Sequence, residues 1–356
     1  MPTPAISVLV PICNVERYLR ECLDSLQAQS FTDIEVICLN DGSTDASSSI
    51  AHEYEKLDER FKVVDKANSG YGDTMNQGLD LARGEYIAIL ESDDIMYPTA
   101  LQTLYDLART SGAQAVKGNF DFYWSVDNPR HELHSMVDET MEGSCIDTRE
   151  DMRVYYFKPS IWSGLYRRDF LVDHDIRFLP TPGASYQDTS FAFKIWASCE
   201  RACFTQDPII YYRQDNEKSS VNSKGKVFCV CDEYQEIFSW LPTHVDEEHI
   251  GTLRTMAQIS QLNAYLWNVD RLAEEFRLDF MMQMSQTFKG YRAAGELDLD
   301  AWDVWKRINV EAIMDRPKEY LKIRLKSHDN TRMGKAVFAL RLGGPSALFA
   351  AIKGRH

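Results

Sequence analysis

The chain has 356 residues, 44% of them hydrophobic, and a formal net charge of -15. It is long enough for one large domain or two ordinary ones with a substantial core, and its acidity excludes nucleic acid as the main partner, because neutralising phosphates takes a basic surface. No apolar run approaches the roughly 18 residues that span a bilayer, and residue Ile6 enters a strand-like segment without a preceding basic region and cleavage site, so a soluble, unsecreted protein is expected. The eight cysteines form no CxxC pair and read as reduced thiols in a cytosolic protein; Cys229 and Cys231 lack the second pair that a zinc site needs.

In chain order, apolar runs at 6–11, 34–39, 61–65, 86–90 and 115–120 predict strands, separated by amphipathic stretches in the pattern of βαβ units feeding a mostly parallel central sheet. Between the first two, Tyr18, Leu19, Cys22, Leu23 and Leu26 recur at helical spacing. Helices follow at 45–57, 71–82 and 98–110. Ligands of open α/β sheets sit at the C-terminal strand ends, so the polar turns at 13–16, 40–45 and 91–94 are expected to converge on one cleft. Residues 125–149 read as a polar loop excursion. A helix at 186–197 and a strand at 209–212 come next. Beyond residue 226, Leu253, Met256, Ile259, Leu262, Leu266, Val269, Leu272, Phe276 and Phe280 form the buried stripe of one long helix. The expected division is a catalytic α/β domain over 1–225 and a helical C-terminal region over 226–356.

Three strand ends carry candidate chemistry. Leu90-Glu91-Ser92-Asp93-Asp94 closes a buried strand with three carboxylates, which calls for a cation or solvent nearby, and oxygen ligands of this kind suit Mg²⁺ or Mn²⁺ held together with substrate phosphates. The alternative is a solvated turn ahead of the next helix. Asn40-Asp41-Gly42-Ser43-Thr44-Asp45 offers Asp41 as a fixed acceptor for a base or ribose, while Thr44 or Asp45 can cap the helix. Asn68-Ser69-Gly70 precedes a helix whose amides could face an anion. Neither GxGxxG nor GxxxxGK[ST] occurs, which removes the main support for dinucleotide and P-loop readings.

Together with Val10-Pro11-Ile12-Cys13-Asn14-Val15-Glu16 and Cys22-Leu23-Asp24-Ser25-Leu26, these segments, in this order, resemble the family 2 glycosyltransferases, which have a GT-A fold. The resemblance covers roughly the first 125 residues well and the next hundred loosely. It implies an inverting, metal-dependent transferase using a nucleotide sugar, a UDP-sugar foremost. It implies contacts of the donor nucleotide with Pro11, Asn14, Glu16, Asp41, Asn68, Gly70 and Ser92, and a Mn²⁺ or Mg²⁺ ion on Asp93 and Glu91. In Gly183-Ala184-Ser185-Tyr186-Gln187-Asp188 it implies Asp188 as the base that deprotonates the acceptor, the other role being a helix cap or a partner for Arg213. Departures from the family pattern are Cys13 for a tyrosine, Thr74-Met75-Asn76 for Ala-Arg-Asn, Gln187 for Glu, and Glu91 as the first carboxylate of the DxD element.

Tyr211-Tyr212-Arg213, followed by Ser219-Ser220, offers either a cation near the diphosphate or an ordinary strand end. Trp162, with Asp94, is a candidate acceptor contact, the alternative for the tryptophan being a core position. From Arg316 onward ten Lys or Arg face two carboxylates, a net +8 that leaves -23 for the rest. With apolar patches at 336–340 and 347–352, this basic tail offers a peripheral contact with an anionic membrane, a dimer contact or a solvated face. A saccharide or lipid-linked saccharide acceptor for surface polysaccharide is the matching expectation. The rival readings are a nucleotidyltransferase, which lacks its basic glycine-rich loop at 11–16, and a degenerate GT-A module that binds without turnover.

Overall fold

A computed structural model describes residues 3–126, 128–216, 226–327 and 331–353. The chain divides into two compact units, residues 1–222 with 239–246, and 223–238 with 247–356.

The first unit is built on a ten-stranded mixed sheet. Its strands are β1 (Ile6–Ile12), β2 (Ile34–Asp41), β3 (Phe61–Lys66), β4 (Tyr86–Ile89), β5 (Ile95–Met96), β6 (Ala115–Trp124), β7 (Arg130–His134), β8 (Cys145–Ile146), β9 (Gly164–Arg167) and β10 (Ala202–Arg213). The order is β3-β2-β1-β4-β9-β6-β10-β5, with β7 beside β6 and β8 beside β10. The first four strands are mutually parallel. Three of them, β1, β2 and β4, are buried along their whole length, both faces being covered, whereas the edge strand β3 buries only Phe61. Beyond β4 the sheet turns mixed, since β9 runs antiparallel to both β4 and β6 while β10 runs parallel to β6.

Around this sheet lie α1 (Leu19–Gln27), α2 (Ser47–Leu57), α3 (Tyr71–Leu81), α4 (Ala100–Ser111), α5 (Arg168–Asp173) and α6 (Gln187–Ser198). The chain runs β1, β2, β3 outward on one side and then returns to place β4 on the other side of β1. The crevice between the ends of β1 and β4 is therefore the topological switch point.

The polar excursion at 125–149 holds two strands. Arg130-His131-Glu132-Leu133-His134 pairs with the outer half of β6, an edge position where a polar sequence is compatible with strand geometry. Cys145 lies directly opposite Cys203 in the β8–β10 ladder, with Cα atoms 4.2 Å apart, and the two are joined by a disulfide. This corrects the reading of all eight cysteines as thiols; a separation of 58 residues hides the pairing in the sequence.

The remaining helices are α7 (Cys229–His244), α8 (Ile250–Arg271), α9 (Glu274–Ala293), α10 (Val304–Asp315), α11 (Pro317–Ser327) and α12 (Arg332–Lys353). The expected single long helix is two, because Leu272 and Ala273 adopt extended backbone between α8 and α9, with the Arg277 guanidinium donating to the Leu272 carbonyl at 2.8 Å. Helix α12 is broken at Gly343 and Gly344, the latter at φ +68°, just before Pro345.

Candidate active site

Loops leaving β1, β2, β3 and β4 meet at the switch point, and their side chains bond to one another. Asn14, itself at φ +52°, accepts from the Thr44 amide at 2.8 Å, and the Glu16 carboxylate accepts from the Ala46 amide at 2.8 Å at the start of α2. These two residues, together with Ser43, Asp45 and Ser47, fasten the first loop to the second. Pro11 is buried in β1 opposite Leu39.

Asp41, at the end of β2, is the hub. Its carboxylate accepts from Lys66 Nζ at 2.8 Å and from the amides of Ser69 and Gly70 at 2.8 and 3.0 Å, while its carbonyl accepts from Asn68 Nδ2 at 2.9 Å. Burial opposes the Asp41 charge, but the Lys66 ammonium and the two amides outweigh it and hold the carboxyl below its ordinary range. Lys66 went unnoticed in the sequence although it ends the third strand two residues before Asn68.

Gly70, at φ +93°, and Gly72 bring this loop against a later one. A Cβ on Gly70 would lie 2.8 Å from Gly183 N, and one on Gly72 would lie 2.1 Å from the Leu179 carbonyl oxygen. The Tyr71 amide donates to the Gly183 carbonyl at 2.9 Å. Gln187 then stitches the turn ahead of α6, accepting from the Ser185 amide and donating to Thr181 Oγ1 at 2.9 Å. The next residue, Asp188, sits in the first turn of α6 among its own helix amides. Gly72→Ala is expected to cost roughly 1–3 kcal/mol, since backbone rather than a flexible side chain must yield. Thermal unfolding followed by circular dichroism checks this; an unchanged Tm would contradict the close approach.

The turn after β4 carries the acidic cluster. Glu91 accepts from the Tyr71 hydroxyl at 2.6 Å, and Ser92 is buried. Burial, then the charges of Asp93 and Asp188, push the Glu91 carboxyl up to about 8 against the Tyr71 hydrogen bond. Asp93 accepts from Asn216 Nδ2 at 2.8 Å. Asp94 is fully enclosed: Oδ1 accepts from the Arg213 amide at 2.8 Å and Oδ2 has no hydrogen-bond partner, with burial and then Asp93 raising its pKa well above the carboxylate range. An acceptor contact at Asp94 is therefore corrected, for its side chain fastens this turn to β10. Arg213 does the same from the other side. Its side chain is 1% exposed and its guanidinium donates to the Asp93 carbonyl at 2.7 Å and to Glu21, so it positions the turn from within. Ser219 and Ser220 lie outside the described residues.

Asp188 is electrically part of the same site, since its charge is felt at Tyr71, Glu91, Lys117 and Tyr212. Burial raises its pKa to about 6, against Lys158 and the α6 amides. Lys117, 2% exposed, donates to both the carbonyl and the hydroxyl of Ser160, and burial brings its ammonium down to about 7. Trp162 is not a free platform. Tyr212 stacks on it at 4.7 Å and Phe120 meets it edge-on at 4.7 Å, so the acceptor reading for Trp162 is corrected to a core position. Among the described residues, no three His, Cys, Asp or Glu side chains form a group that could hold a metal ion.

Residues 7–171 match the family described as Glycosyl transferase family 2. The match covers most of the parallel half of the sheet and the acidic turn, and stops before Asp188. The putative glycosyltransferase EpsH of Bacillus subtilis (strain 168) is 35% identical to it over 224 residues, 60% of this chain and 62% of that protein. The chain thus spans less than two thirds of that relative's length. Among solved structures, S. aureus TarS 1-349 in complex with UDP-GlcNAc superposes with a TM-score of 0.70 at 18% identity, covering 90% of this chain and 91% of that one. The mannosyltransferase PcManGT from Pyrobaculum calidifontis, in complex with GDP-Man and Mn²⁺, gives 0.50 at 15% identity, covering 98% and 86%. The chain therefore has a GT-A-like fold, with a mixed central sheet and a helical C-terminal region.

Proposed function

We propose that the chain is an inverting glycosyltransferase that moves a sugar from a UDP-sugar to a hydroxyl of a saccharide or lipid-linked saccharide in surface polysaccharide synthesis, with catalysis in residues 1–225. The observation that carries this is the convergence of Asp41, Glu91, Asp93 and Asp188 on the switch point, in a chain that matches family 2 over residues 7–171. TarS, with the same fold, has been solved with UDP-GlcNAc.

Asp41 keeps acceptor capacity for a base N–H beside the three bonds it already accepts. Asn14, Glu16, Asn68, Gly70 and Ser92 belong to the loops that would enclose the nucleotide, and Pro11 to the end of β1 from which the first of them leaves. Asp188 takes the proton of the acceptor hydroxyl. As the oxygen bonds to the anomeric carbon from the opposite face, the bond to the donor diphosphate breaks and its electron pair leaves with the nucleotide. Held in line, the two reactants need no covalent enzyme intermediate.

Asp93, with Glu91, fits a Mn²⁺ or Mg²⁺ ion. Such ions take one or two protein carboxylates plus substrate phosphates, and the crowding that raises Glu91 and leaves Asp94 Oδ2 unpartnered is what a cation relieves. When bound, the ion supplies charge neutralisation for the departing diphosphate. Calorimetric titration of the full chain with UDP and GDP, with Mn²⁺ or with chelator, tests the assignment. UDP binding that weakens on chelation supports it; equal affinity for both nucleotides, unaffected by chelator, sinks it.

The tail supplies the place of action, the cytoplasmic face of an anionic membrane. Phe349 and Ile352 are 64% and 62% exposed beside Lys353, and the kink in the helix at Gly343 and Gly344 suits a helix lying along a surface more than one crossing it. The full chain should co-sediment with phosphatidylglycerol-containing vesicles and not with phosphatidylcholine alone. F349E with I352E should abolish this, and an unchanged sedimentation would contradict the contact.

A further inference from the structure

Between α5 and α6 the chain runs as an irregular strap, residues 176–186, with no helix or strand of its own. Such a segment holds one conformation only where its main-chain polar groups find partners elsewhere. Asn76, in the middle of α3, partners two of them. Its Nδ2 donates to the Phe178 carbonyl at 2.9 Å and its Oδ1 accepts from the Phe178 amide at 2.9 Å. One carboxamide thus grips one residue's main chain in both directions, as a neighbouring antiparallel strand would. The Arg177 guanidinium donates to the Asn76 carbonyl at 3.3 Å and pairs with Asp80, one turn further along α3, at 2.6 Å.

The gripped residue reaches α6 through its ring. Phe178 stacks on Phe191 with ring centres 3.9 Å apart and planes 7° from parallel, and both side chains are buried. Phe191 stands three residues after Asp188, so the two lie on one face of α6. The Lys194 ammonium, three residues further on, donates to the Arg177 carbonyl at 3.3 Å, and Gln187, next to Asp188, holds the far end of the strap at Thr181. The strap is fixed to α3 by Asn76 and to α6 by the ring stack, and the first turn of α6 takes its place from both.

We propose that Asn76 is a positioning residue for Asp188: its carboxamide fixes Phe178, and the stack of Phe178 on Phe191 sets the turn of α6 that carries the base. The inference rests on Asp188 being the base. The carboxamide of Asn76 is engaged by Phe178, so Asn76 acts through the strap and not on the donor. Asparagine is required because the grip both donates and accepts; aspartate has no donor for the carbonyl, and leucine, of similar volume, has neither group. A reacting group displaced by about 1 Å costs on the order of 10²-fold in turnover, even when the substitution lies away from the chemistry.

A double-mutant cycle on the full chain tests it, with N76L and N76A each made in the wild type and in D188N, and kcat read as nucleoside diphosphate release per UDP-binding site. In the wild-type background kcat should fall roughly 10²-fold in both, with donor KM and UDP affinity by calorimetry unchanged. In D188N the same substitutions should cost less than about twofold, because a residue that acts through the base then has nothing left to position. A full further loss in D188N overturns the inference, as does a fall in UDP affinity that matches the fall in kcat in both variants. Wild-type turnover in D188N strikes the base reading instead. In that case, and equally if no donor is turned over, hydrogen exchange read by mass spectrometry decides the positioning claim. Exchange over residues 185–191 should rise about tenfold in N76L and N76A while β1 and β2 keep their protection, and unchanged exchange over 185–191 overturns the inference.

Discussion

Replacing Asp188 with asparagine is expected to lower kcat by about 10²–10⁴, the range for removing a general base, while leaving donor affinity close to wild type. The reason is local. Asp188 stands in the first turn of α6, outside the Asp41 hub, and donor affinity depends on the hub and the metal turn. The pH dependence follows from burial, which raises the Asp188 pKa to about 6. Only the ionised carboxylate accepts the hydroxyl proton, so kcat should fall as pH drops through about 6. The charged and titratable groups around it are Lys158, Lys117, Glu91, Tyr71 and Tyr212. Lys158 favours the carboxylate, so K158M should move this acid limb to higher pH and K158R should return it. A pH profile of K158M that overlays the wild type would remove Lys158 from the account.

The second large effect is expected at Asp93. Its carboxylate is the most available of the acidic turn: Glu91 is bonded to Tyr71 and Asp94 is enclosed against Arg213. Asp93→Asn keeps the shape and the capacity to accept a hydrogen bond but removes the charge, so turnover should fall by about 10²-fold or more, and added Mn²⁺ should no longer raise UDP affinity. Retained metal-dependent turnover would move the metal elsewhere. Because Arg213 holds the Asp93 carbonyl rather than its carboxylate, the turn should keep its conformation in this variant.

The parallel half of the fold was legible because β1, β2 and β4 are buried along their whole length and mostly apolar, and because each strand ends in a polar turn. The chain order of those turns carried the resemblance to family 2 glycosyltransferases, which the match over residues 7–171 repeats. What the sequence did not show has physical causes. Trp162 and Phe122 are both aromatic, and only the packing of Phe120 and Tyr212 against Trp162 tells which one is enclosed. Arg213 sits near carboxylates in either reading, and its burial against Glu21 and the Asp93 carbonyl decides its role. Strand β7 is polar on both faces, so no alternation marks it. Lys66, Lys117 and Lys158 look alike as letters; one is drawn into a carboxylate hub, one is buried, and one lies over aromatic rings. The apolar stripe of α8 and α9 continues through their junction, so periodicity alone could not show the break at Leu272 and Ala273.

The account is tested most directly by release of the nucleoside diphosphate from a panel of UDP-, GDP- and TDP-sugars incubated with the full chain, with Mn²⁺ and with chelator. It predicts metal-dependent release from a UDP-sugar, lost in Asp93→Asn and in Asp188→Asn. Binding of UDP without release from any donor, with or without a saccharide acceptor, would contradict it and leave a module that holds a nucleotide without turning it over.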